Sequence, residues 1–474
     1  MIEYIVNKYQ GRAAQTLTLG RYKIANLIND LCKVCGVEEK GVNERIKNLL
    51  KNYCNELEFV IDGKIYQDKE LNLLNKKYDN IISHFIKMFG KVRYFGTHAS
   101  SVILSNEPIE ECAGLIRVSN NLRTSFDLKD IGSLKLLKLD ILGLASVTKV
   151  KELEELTGIK FSYEMLEDEG MLEKFNTDVD GSVFQFESKS SMDIARRIKI
   201  NSFEDVVVAT SLNRPGPLKL SMHEKYAEAK ENPNENALWY KYTQNTYGVI
   251  IYQEQGMRIC RGIGELDWET TDTLVKADYT HLSTEQMDEW RKLFVPNAIK
   301  NGLNKKEAED LYESLLHYSF NRGHGVAYAM TSAILMWYKK YYPLYFWYVT
   351  LKNTYSQDSI FKHKKGIVHD GIVLFLPHVN GTAEVSIKKF DDDYVIQEGL
   401  NGIKNIGDKA AYIIEAERKK NGPYKSIDDL ISRVPKQSVN KRFLDALKEH
   451  GALEFNKKTY INRVMKYNSA LYSR

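Results

Sequence analysis

LKLDILGL, residues Leu137 to Leu144, is an aliphatic run typical of a strand, yet it contains one lysine and one aspartate. A carboxylate is costly in such a strand unless it lies at an exposed edge, is paired, or binds a metal. Lys138 and Asp140 are two positions apart, so a strand directs both side chains to the same face. The pair suits a site for a metal ion and a triphosphate, and it equally suits an ordinary salt bridge.

The pattern changes along the chain on either side of this run. Residues 1 to about 90 have the apolar spacing of amphipathic helices. Residues 101–104 and 134–142 are predicted strands, and a mostly helical region follows to about residue 353. Loops are predicted at residues 214–217 and at Pro296, because both stretches contain prolines. Residues 371–376 and 394–397 resemble strands, and short helices separated by glycines follow.

Length and composition limit the class of protein. At 474 residues, with 43% hydrophobic and 27% charged residues, the chain fits a globular protein of three or four domains. Its five cysteines are sparse and odd in number, which indicates a reducing compartment. Cys32 and Cys35 have C-x-x-C spacing, but no second pair follows at zinc-site distance, so we expect buried or semi-buried thiols on a helix.

Neither the first residues nor the most apolar stretch of the sequence predicts insertion into a membrane. The first residues have no basic segment followed by an apolar core, so we expect no signal peptide. The most apolar stretch, residues 327–351, is interrupted by Lys339, Lys340 and Pro343, which leaves each side too short to span a bilayer. This stretch is predicted to form a buried helix, a break and an aromatic segment. We expect a cytoplasmic protein.

The segment NGIKNIGDKAAYII, residues 401–414, has the order of a helix-hairpin-helix: an apolar stretch, a tight glycine turn and an alanine-rich helix. In such a turn, backbone N–H groups and a helix N-terminus meet a DNA phosphate without reading sequence. An ordinary pair of helices uses glycine for the same turn. From residue 399 onward, however, 16 Lys and Arg stand against 8 Asp and Glu, whereas the preceding residues have 51 against 55. This basic excess favours nucleic acid.

Three further motifs lie in the helical region. FNRGHGVAYAMTS, residues 320–332, puts Arg322 and His324 at a helix N-terminus, where they could meet a phosphate or simply form a cap. SLNRPGPL, residues 211–218, places Arg214 before a rigid turn that either fixes it for phosphate binding or ends a helix. YGVIIYQEQ, residues 247–255, contains two tyrosines that either stack on bases or fill a core.

Taken in order, these segments resemble the α subunit of bacterial DNA polymerase III, a C-family replicative polymerase. GTHASSVIL (residues 96–104) is similar to a palm strand of that family, and LKLDILGL to its K-x-D-x-L-G-L segment. GSVFQFES (181–188), the three motifs above and YYPLYFWY (341–348) are similar to successive fingers motifs. GLNGIKNIGDKAA (399–411) and SVNKRFLDALKEHGAL (438–453) are similar to its helix-hairpin-helix domain.

The resemblance implies roles for individual residues. Asp140 would be a catalytic residue and a Mg²⁺ ligand, at the position of the third catalytic aspartate of a two-metal site. Lys138, Arg214, Arg322 and His324 would bind the incoming deoxynucleoside triphosphate or the template. Primed template DNA would be held by a set of polar and basic residues in the hairpin domain: Lys404, Asn405, Gly407, Lys409, Lys441 and Arg442.

The family's P-D-I-D-x-D-F stretch, which carries two further aspartates, is not in this sequence. We therefore expect one half of a split DNA polymerase, with a second polypeptide supplying those aspartates and a sliding clamp reached through another chain. The alternative is a non-catalytic DNA-binding remnant or decoy subunit, which the weak basic character of the fingers supports. An incomplete gene is a third possibility.

The expected fold class is α+β, mainly helical and multidomain, with a partial palm sheet, large helical fingers and a C-terminal helix-hairpin-helix domain. The predicted boundaries are 1–90 for the end of the palm and a thumb-like helical domain, 91–145 for the distal palm strands, 146–353 for the fingers, and 354–474 for the helix-hairpin-helix domain.

Overall fold

The computed structural model describes residues 1–473 except 56, 62, 119–120, 135, 277–282, 317–319 and 355. The chain divides into two compact units, Met1–Gly143 and Leu144–Arg474. Helices dominate and two small sheets accompany them, which confirms the predicted mainly helical α+β class. In the described residues, no helix is both long enough and apolar enough to cross a membrane.

The first unit combines one sheet with short helices. Its helices are α1 (Ile2–Lys8), α2 (Ile24–Val34), α3 (Val42–Leu50), α4 (Lys69–Lys77), α5 (Ile81–Met88), α6 (Ile109–Cys112) and α7 (Leu128–Ser133). Its strands are β1 (Ala13–Arg21), β2 (Val92–Leu104), β3 (Leu115–Val118), β4 (Asn121–Thr124) and β5 (Leu137–Asp140). They form one five-stranded sheet in the order β3-β4-β1-β2-β5.

The helical prediction for residues 1–90 is wrong over β1. The sequence Thr16-Leu17-Thr18-Leu19 alternates polar and apolar residues, as a strand does. β1 pairs antiparallel with β2, which lies more than seventy residues away and is invisible to local spacing. The predicted strand 101–104 is confirmed within β2, whereas the predicted strand 134–142 is shortened to β5.

Helices α2 to α5, which lie between β1 and β2 in the sequence, form a separate hydrophobic core. Leu27, Ile28, Ile46, Leu71 and Phe85 are fully buried in it. The regular apolar spacing of these helices explains why they were predictable. Cys32 lies within α2 and is buried, and Cys35 follows its last residue; both thiols are free, as expected.

The second unit is almost entirely helical. Its helices are α8 (Ala145–Thr157), α9 (Glu169–Thr177), α10 (Lys189–Ile198), α11 (Phe203–Leu212), α12 (Pro215–Lys219), α13 (Met222–Glu231), α14 (Tyr240–Thr243), α15 (Gln253–Gly262), α16 (Trp268–Lys276), α17 (Thr284–Lys300), α18 (Lys305–Leu316), α19 (Arg322–Tyr341), α20 (Pro343–Lys352), α21 (Gln357–His369), α22 (Asp408–Asn421), α23 (Ile427–Arg433), α24 (Lys441–Glu449) and α25 (Lys457–Tyr472).

Three strands accompany these helices: β6 (Leu374–Phe375), β7 (Ser386–Phe390) and β8 (Asp393–Gln397). β8 lies in the middle, parallel to β6 and antiparallel to β7. The strand predicted at 371–376 contracts to two residues, the one predicted at 394–397 is confirmed, and β7 was not predicted.

Two proline predictions are corrected. Pro296 lies inside α17 because Phe294, Val295 and Ala298 pack into a core that holds the helix on both sides of it. Pro296 itself is exposed, so the helical hydrogen bond that proline cannot donate is lost on the solvent side of the helix. Pro215 begins α12, where a proline at the first position loses no helical hydrogen bond.

The largest core of the second unit surrounds α11, α19 and α20, and it contains a buried lysine. Lys339 has a fully buried side chain whose Nζ bonds to Asp178, to Asp180 at 2.5 Å and to Ser182 Oγ at 3.0 Å. The ammonium also lies 5.0 Å from the centre of the Trp347 ring. A charge at this depth is stable only because carboxylates compensate it.

Candidate functional site

Asp140 is the last residue of β5, an edge strand of the five-stranded sheet. It pairs with Ser101 of β2, and its side chain is 44% exposed. Its carboxylate forms a salt bridge with Lys138 Nζ at 2.9 Å, which is the pairing that the spacing in the sequence allowed. Ion pairs as exposed as this contribute little to stability. The carboxylate therefore remains accessible to a ligand even though it is paired.

β2 bulges beside Asp140. Gln15 pairs with Val102 and Leu17 with Thr97, so the four β2 residues 98–101 lie opposite the single residue Thr16. His98 Nδ1 accepts a hydrogen bond from the Ser101 N–H at 3.1 Å, which leaves the proton of a neutral ring on Nε2. Bulges are frequent next to functional sites, where they redirect side chains. Sequence reasoning missed His98; the only local signal was its place ahead of three small residues.

Arg322 and His324 lie at the start of α19. Asn321 caps this helix by accepting the His324 N–H at 2.8 Å, and the Arg322 N–H donates to Glu254. The Arg322 guanidinium pairs with Glu204 at 2.5 Å, and this hydrogen bond raises the pKa of the arginine. Arg322 is thus fixed by carboxylates, while its side chain stays 41% exposed.

A series of neighbouring planar side chains connects three of the fingers motifs. The Arg214 guanidinium lies 5.5 Å from the Phe320 ring, and Phe320 lies 5.5 Å from His324. Tyr328 follows at 4.2 Å from His324, and Phe184 at 5.3 Å from Tyr328. The predicted Arg214 and His324 are therefore brought together through Phe320, with Arg322 on the same helix.

The tyrosines of residues 247–255 are core residues rather than stacking platforms. Tyr252 is 1% exposed, and its hydroxyl donates to Glu204 at 2.8 Å. Burial raises the pKa of Tyr252 strongly. Tyr247 is partly buried against the same large core. The Arg322 guanidinium lies 5.8 Å from the centre of the Tyr252 ring.

A cavity of about 380 Å³ lies beside Arg322. Its lining includes three cationic side chains, one carboxylate and several amides: Lys241, Arg258, Arg322, Glu254, Gln244 and Asn245. The excess of cations and hydrogen-bond donors suits an anionic ligand with polar edges. Lys241 and Arg258 were not predicted, because they come from separate helices that only the fold brings together.

The hairpin domain places its predicted residues on the surface. Asn405 adopts a left-handed conformation with φ of 74°, which asparagine tolerates better than most residues other than glycine. Gly407 precedes α22 without a side-chain cap, so the first N–H groups of that helix have no side-chain acceptor. Lys404 and Lys409 are exposed on either side.

A hydrogen bond connects the turn before α22 to the start of α24. Arg442, near the start of α24, donates from Nη2 to Asn405 Oδ1 at 2.6 Å. Asn440 caps α24 by accepting the Phe443 N–H at 3.0 Å. Asn405, Lys441 and Arg442 line one open cavity of about 420 Å³, together with the carboxylates of Asp445 and Glu449. The arrangement presents backbone donors and cations together, as binding to phosphates requires.

Asp140 and Lys138 belong to the first compact unit, and the other predicted residues belong to the second. Within the second unit the residues form a fingers group and a hairpin group. Among the described residues there is no group of three His, Cys, Asp or Glu side chains that could hold a metal ion. Asp140 could thus provide one carboxylate to a Mg²⁺ ion, and further ligands would have to come from elsewhere.

Three family models match successive parts of the chain. Residues 1–143 match the family model described as the bacterial DNA polymerase III alpha NTPase domain, and residues 144–302 match that of the alpha subunit finger domain. Residues 371–460 match a helix-hairpin-helix motif.

The chain is also similar to curated proteins over almost its whole length. DNA polymerase III subunit alpha of Borreliella burgdorferi is 29% identical over 97% of this chain, that of Thermus aquaticus 28% over 96%, and that of Bacillus subtilis 29% over 96%. The match covers 41%, 38% and 41% of these relatives, so the chain spans about two fifths of their length. Because two models of one subunit match consecutive stretches of this chain and its named relatives match nearly all of it, the chain belongs to the family of the bacterial DNA polymerase III α subunit.

Proposed function

We propose that this chain forms the thumb, distal palm, fingers and helix-hairpin-helix part of a template-dependent DNA polymerase. Its substrates would be primed template DNA and deoxynucleoside triphosphates. The observation that carries the proposal is Asp140, a carboxylate that stays accessible in an edge strand of aliphatic sequence beside a bulge. A carboxylate with a purely structural role would gain little stability there.

In this proposal Asp140 lends one ligand oxygen to Mg²⁺, which as a Lewis acid would stabilise charge on the transferring phosphoryl group. Lys138 is the neighbouring cation, and its ammonium lies at the same edge. It would exchange its bond to Asp140 for a phosphate oxygen when a triphosphate binds. We infer that two further aspartates come from a second polypeptide outside this sequence, and that a sliding clamp is reached through another chain.

The fingers group would hold the triphosphate or the template. Arg322 uses part of its guanidinium on Glu204, and a guanidinium has five N–H donors in total. The remaining donors are available toward the cavity that also contains Lys241 and Arg258. Arg214, held over Phe320, supplies a further cation whose orientation is fixed by stacking.

The hairpin group would hold duplex DNA by its phosphates, through Lys404, Lys409 and the uncapped N–H groups after Gly407. Such contacts position DNA without reading its sequence, as a replicative enzyme requires. A cytoplasmic location fits the five free cysteines, which a reducing compartment maintains.

A second candidate function is that of a non-catalytic DNA-binding subunit. The observation that favours it is the pairing of two predicted triphosphate cations with carboxylates of this chain: Lys138 with Asp140, and Arg322 with Glu204. Cations already compensated in this way bind an additional anion less strongly. The hairpin residues would retain DNA binding in either case.

The test begins with purification of the chain from its source together with its bound partners, followed by primer extension. Asp140→Asn should lower extension by about two to three orders of magnitude, the loss typical of one charged group at a reaction centre, while binding to primed DNA persists. Asp130→Asn, an exposed aspartate on α7, is the matched control and should retain extension. Full activity of Asp140→Asn would refute the catalytic assignment. Salt-dependent DNA binding without extension in any complex would favour the second function.

A further inference from the structure

A two-stranded ribbon extends from the sheet of the first unit toward helices α2 and α5. It consists of Thr18–Arg21 in β1 and Val92–Gly96 in β2, which we call the ribbon. β5 pairs only with residues 101–104 of β2, and β4 pairs with β1 at Gln15. Among the described residues, the ribbon strands therefore pair only with each other in the sheet.

Two aromatic side chains on the ribbon are more than half exposed. Tyr94 is 57% exposed and Phe95 is 59% exposed. Consecutive residues of a strand point to opposite faces, so the two rings lie on different sides of the ribbon. Neither ring belongs to a hydrophobic core of the described residues. These two rings are thus not explained by packing within the unit.

The Tyr94 ring packs against main chain at two glycines. A Cβ at Gly20, its partner across the ribbon, would come within 2.4 to 2.7 Å of three atoms of the Tyr94 ring. A Cβ at Gly96 would be 3.4 Å from the same ring. Only glycine at position 20 lets the ring lie where it does. One side of the ring rests on main chain, and the exposed fraction indicates that the other side is open.

The end of the ribbon near the helices is basic. Arg21, Lys23, Lys91 and Arg93 lie there, and residues 20–23 and 90–93 contain no acidic residue. Arg93 pairs with Asp30 at 2.7 Å, whereas Arg21 donates to the neutral carbonyl of Gly90 at 3.0 Å. Both Arg21 and Lys91 are exposed. The end of the ribbon therefore carries exposed positive charge at Arg21 and Lys91.

We propose that the Tyr94 face of the ribbon binds a polynucleotide strand. Tyr94 stacks on a base or a deoxyribose, and Lys91 at the end of the ribbon contacts an adjoining phosphate. A planar ring with one open side suits stacking, and exposed cations at the end of the ribbon suit a charged backbone. An anchor for a protein partner would instead need apolar neighbours on this face, where Tyr94 has two glycines. This inference rests on the proposed function in taking DNA as the strand.

The experiment compares variants of the full chain by fluorescence anisotropy with a labelled primed template and a labelled single strand. Tyr94→Ala should bind about 5- to 100-fold more weakly, as expected for the loss of one base–aromatic stack, with an unchanged slope against log salt. Tyr94→Phe keeps the ring and should bind like the wild type. Phe95→Ala is the matched control, because it removes an equally exposed ring from the opposite face. Lys91→Glu should reduce the salt slope by about one.

Weakening by Tyr94→Ala on either DNA, with Tyr94→Phe and Phe95→Ala unaffected, supports the inference. The DNA that is affected more identifies a single-stranded or a duplex segment as the ligand. If the wild type binds DNA and Tyr94→Ala weakens this binding no more than Phe95→Ala does, the role of the ribbon is overturned and the proposed function is left intact. Absence of DNA binding by the wild-type chain would overturn both.

Discussion

The buried Lys339 allows a quantitative test of what holds the second unit together. Its ammonium has three polar partners inside the core, and its side chain has no exposed surface. Lys339→Met keeps most of the side-chain volume and removes the charge. Asp178 and Asp180 would then be buried carboxylates that have lost their hydrogen-bonded cation, with only Lys174 acting on them from farther away. We therefore expect the variant to be destabilised by loss of charge compensation rather than by loss of packing.

The expected loss is about 3–5 kcal/mol, the range measured when one partner of a buried ion pair is removed. A typical domain has a free energy of unfolding of only about 5–15 kcal/mol, so this loss is a large part of the total. The control is Lys340→Met on the same helix, whose exposed side chain should change stability by no more than about 0.5 kcal/mol. Replacing Asp178 and Asp180 by asparagine in the Lys339→Met background should recover much of the loss, because no charge then remains buried.

The sign of the pH dependence gives an independent check. Burial alone would raise the pKa of Asp180, but Lys339 holds it below its usual value. In the wild type this carboxylate contributes stability above about pH 4, which is lost as pH falls through its lowered pKa. Burial already raises the pKa of Asp178 in the wild type, and without Lys339 it raises the pKa of both carboxylates. The folded variant then binds more protons than the unfolded chain, so its stability should rise as pH falls from 7 to 4.

Urea unfolding followed by tryptophan fluorescence measures this directly. All five tryptophans lie beyond residue 144, so the signal reports the second unit alone. Trp347 lies next to Lys339 and is a sensitive reporter. The reasoning is refuted if Lys339→Met costs no more than Lys340→Met at pH 7, or if its cost does not shrink toward pH 4.

Other predictions address the hairpin domain and the thiols. Lys404→Glu with Lys409→Glu should weaken duplex binding at least about tenfold and flatten its salt dependence, whereas Lys458→Glu on α25 should have a smaller effect; equal effects would mean that the hairpin is only structural. Asn405→Val should cost about 1–2 kcal/mol of stability because a β-branched residue is strained at φ of 74°, and Asn405→Gly should cost less; denaturation of both variants decides this. Burial raises the pKa of Cys54 to about 11, so mass spectrometry should find it unlabelled by a thiol reagent at pH 8 until the chain unfolds.

Local chemistry made part of this structure predictable. The turn at Asn405 and Gly407 follows from residues that are adjacent in sequence, and so does the break between α19 and α20 at Pro343. The strand character of residues 137–140 likewise needed only an aliphatic run. In each case the residues that decide the conformation are within one turn of each other.

Features that depend on distant partners were not predictable. β1 is a strand because β2 pairs with it, and the bulge at His98 exists only in the register of that pairing. Arg322 meets Glu204 across 118 residues, so the sequence motif identified the arginine but not the carboxylate that fixes it. Asp140 was identified by its type and setting, whereas its exposure followed from its position on an edge strand.

The bond between Arg442 and Asn405 has a consequence for how the hairpin domain would meet DNA. Because it ties the start of α24 to the turn before α22, the second hairpin is already oriented when the first reaches a phosphate. The second contact then behaves as an intramolecular event with a high effective concentration. Two weak phosphate contacts would gain avidity in this way, and sliding along the duplex would remain possible because each contact alone is weak. The asparagine side chain thus reinforces an arrangement of the two hairpins that their shared hydrophobic core already holds.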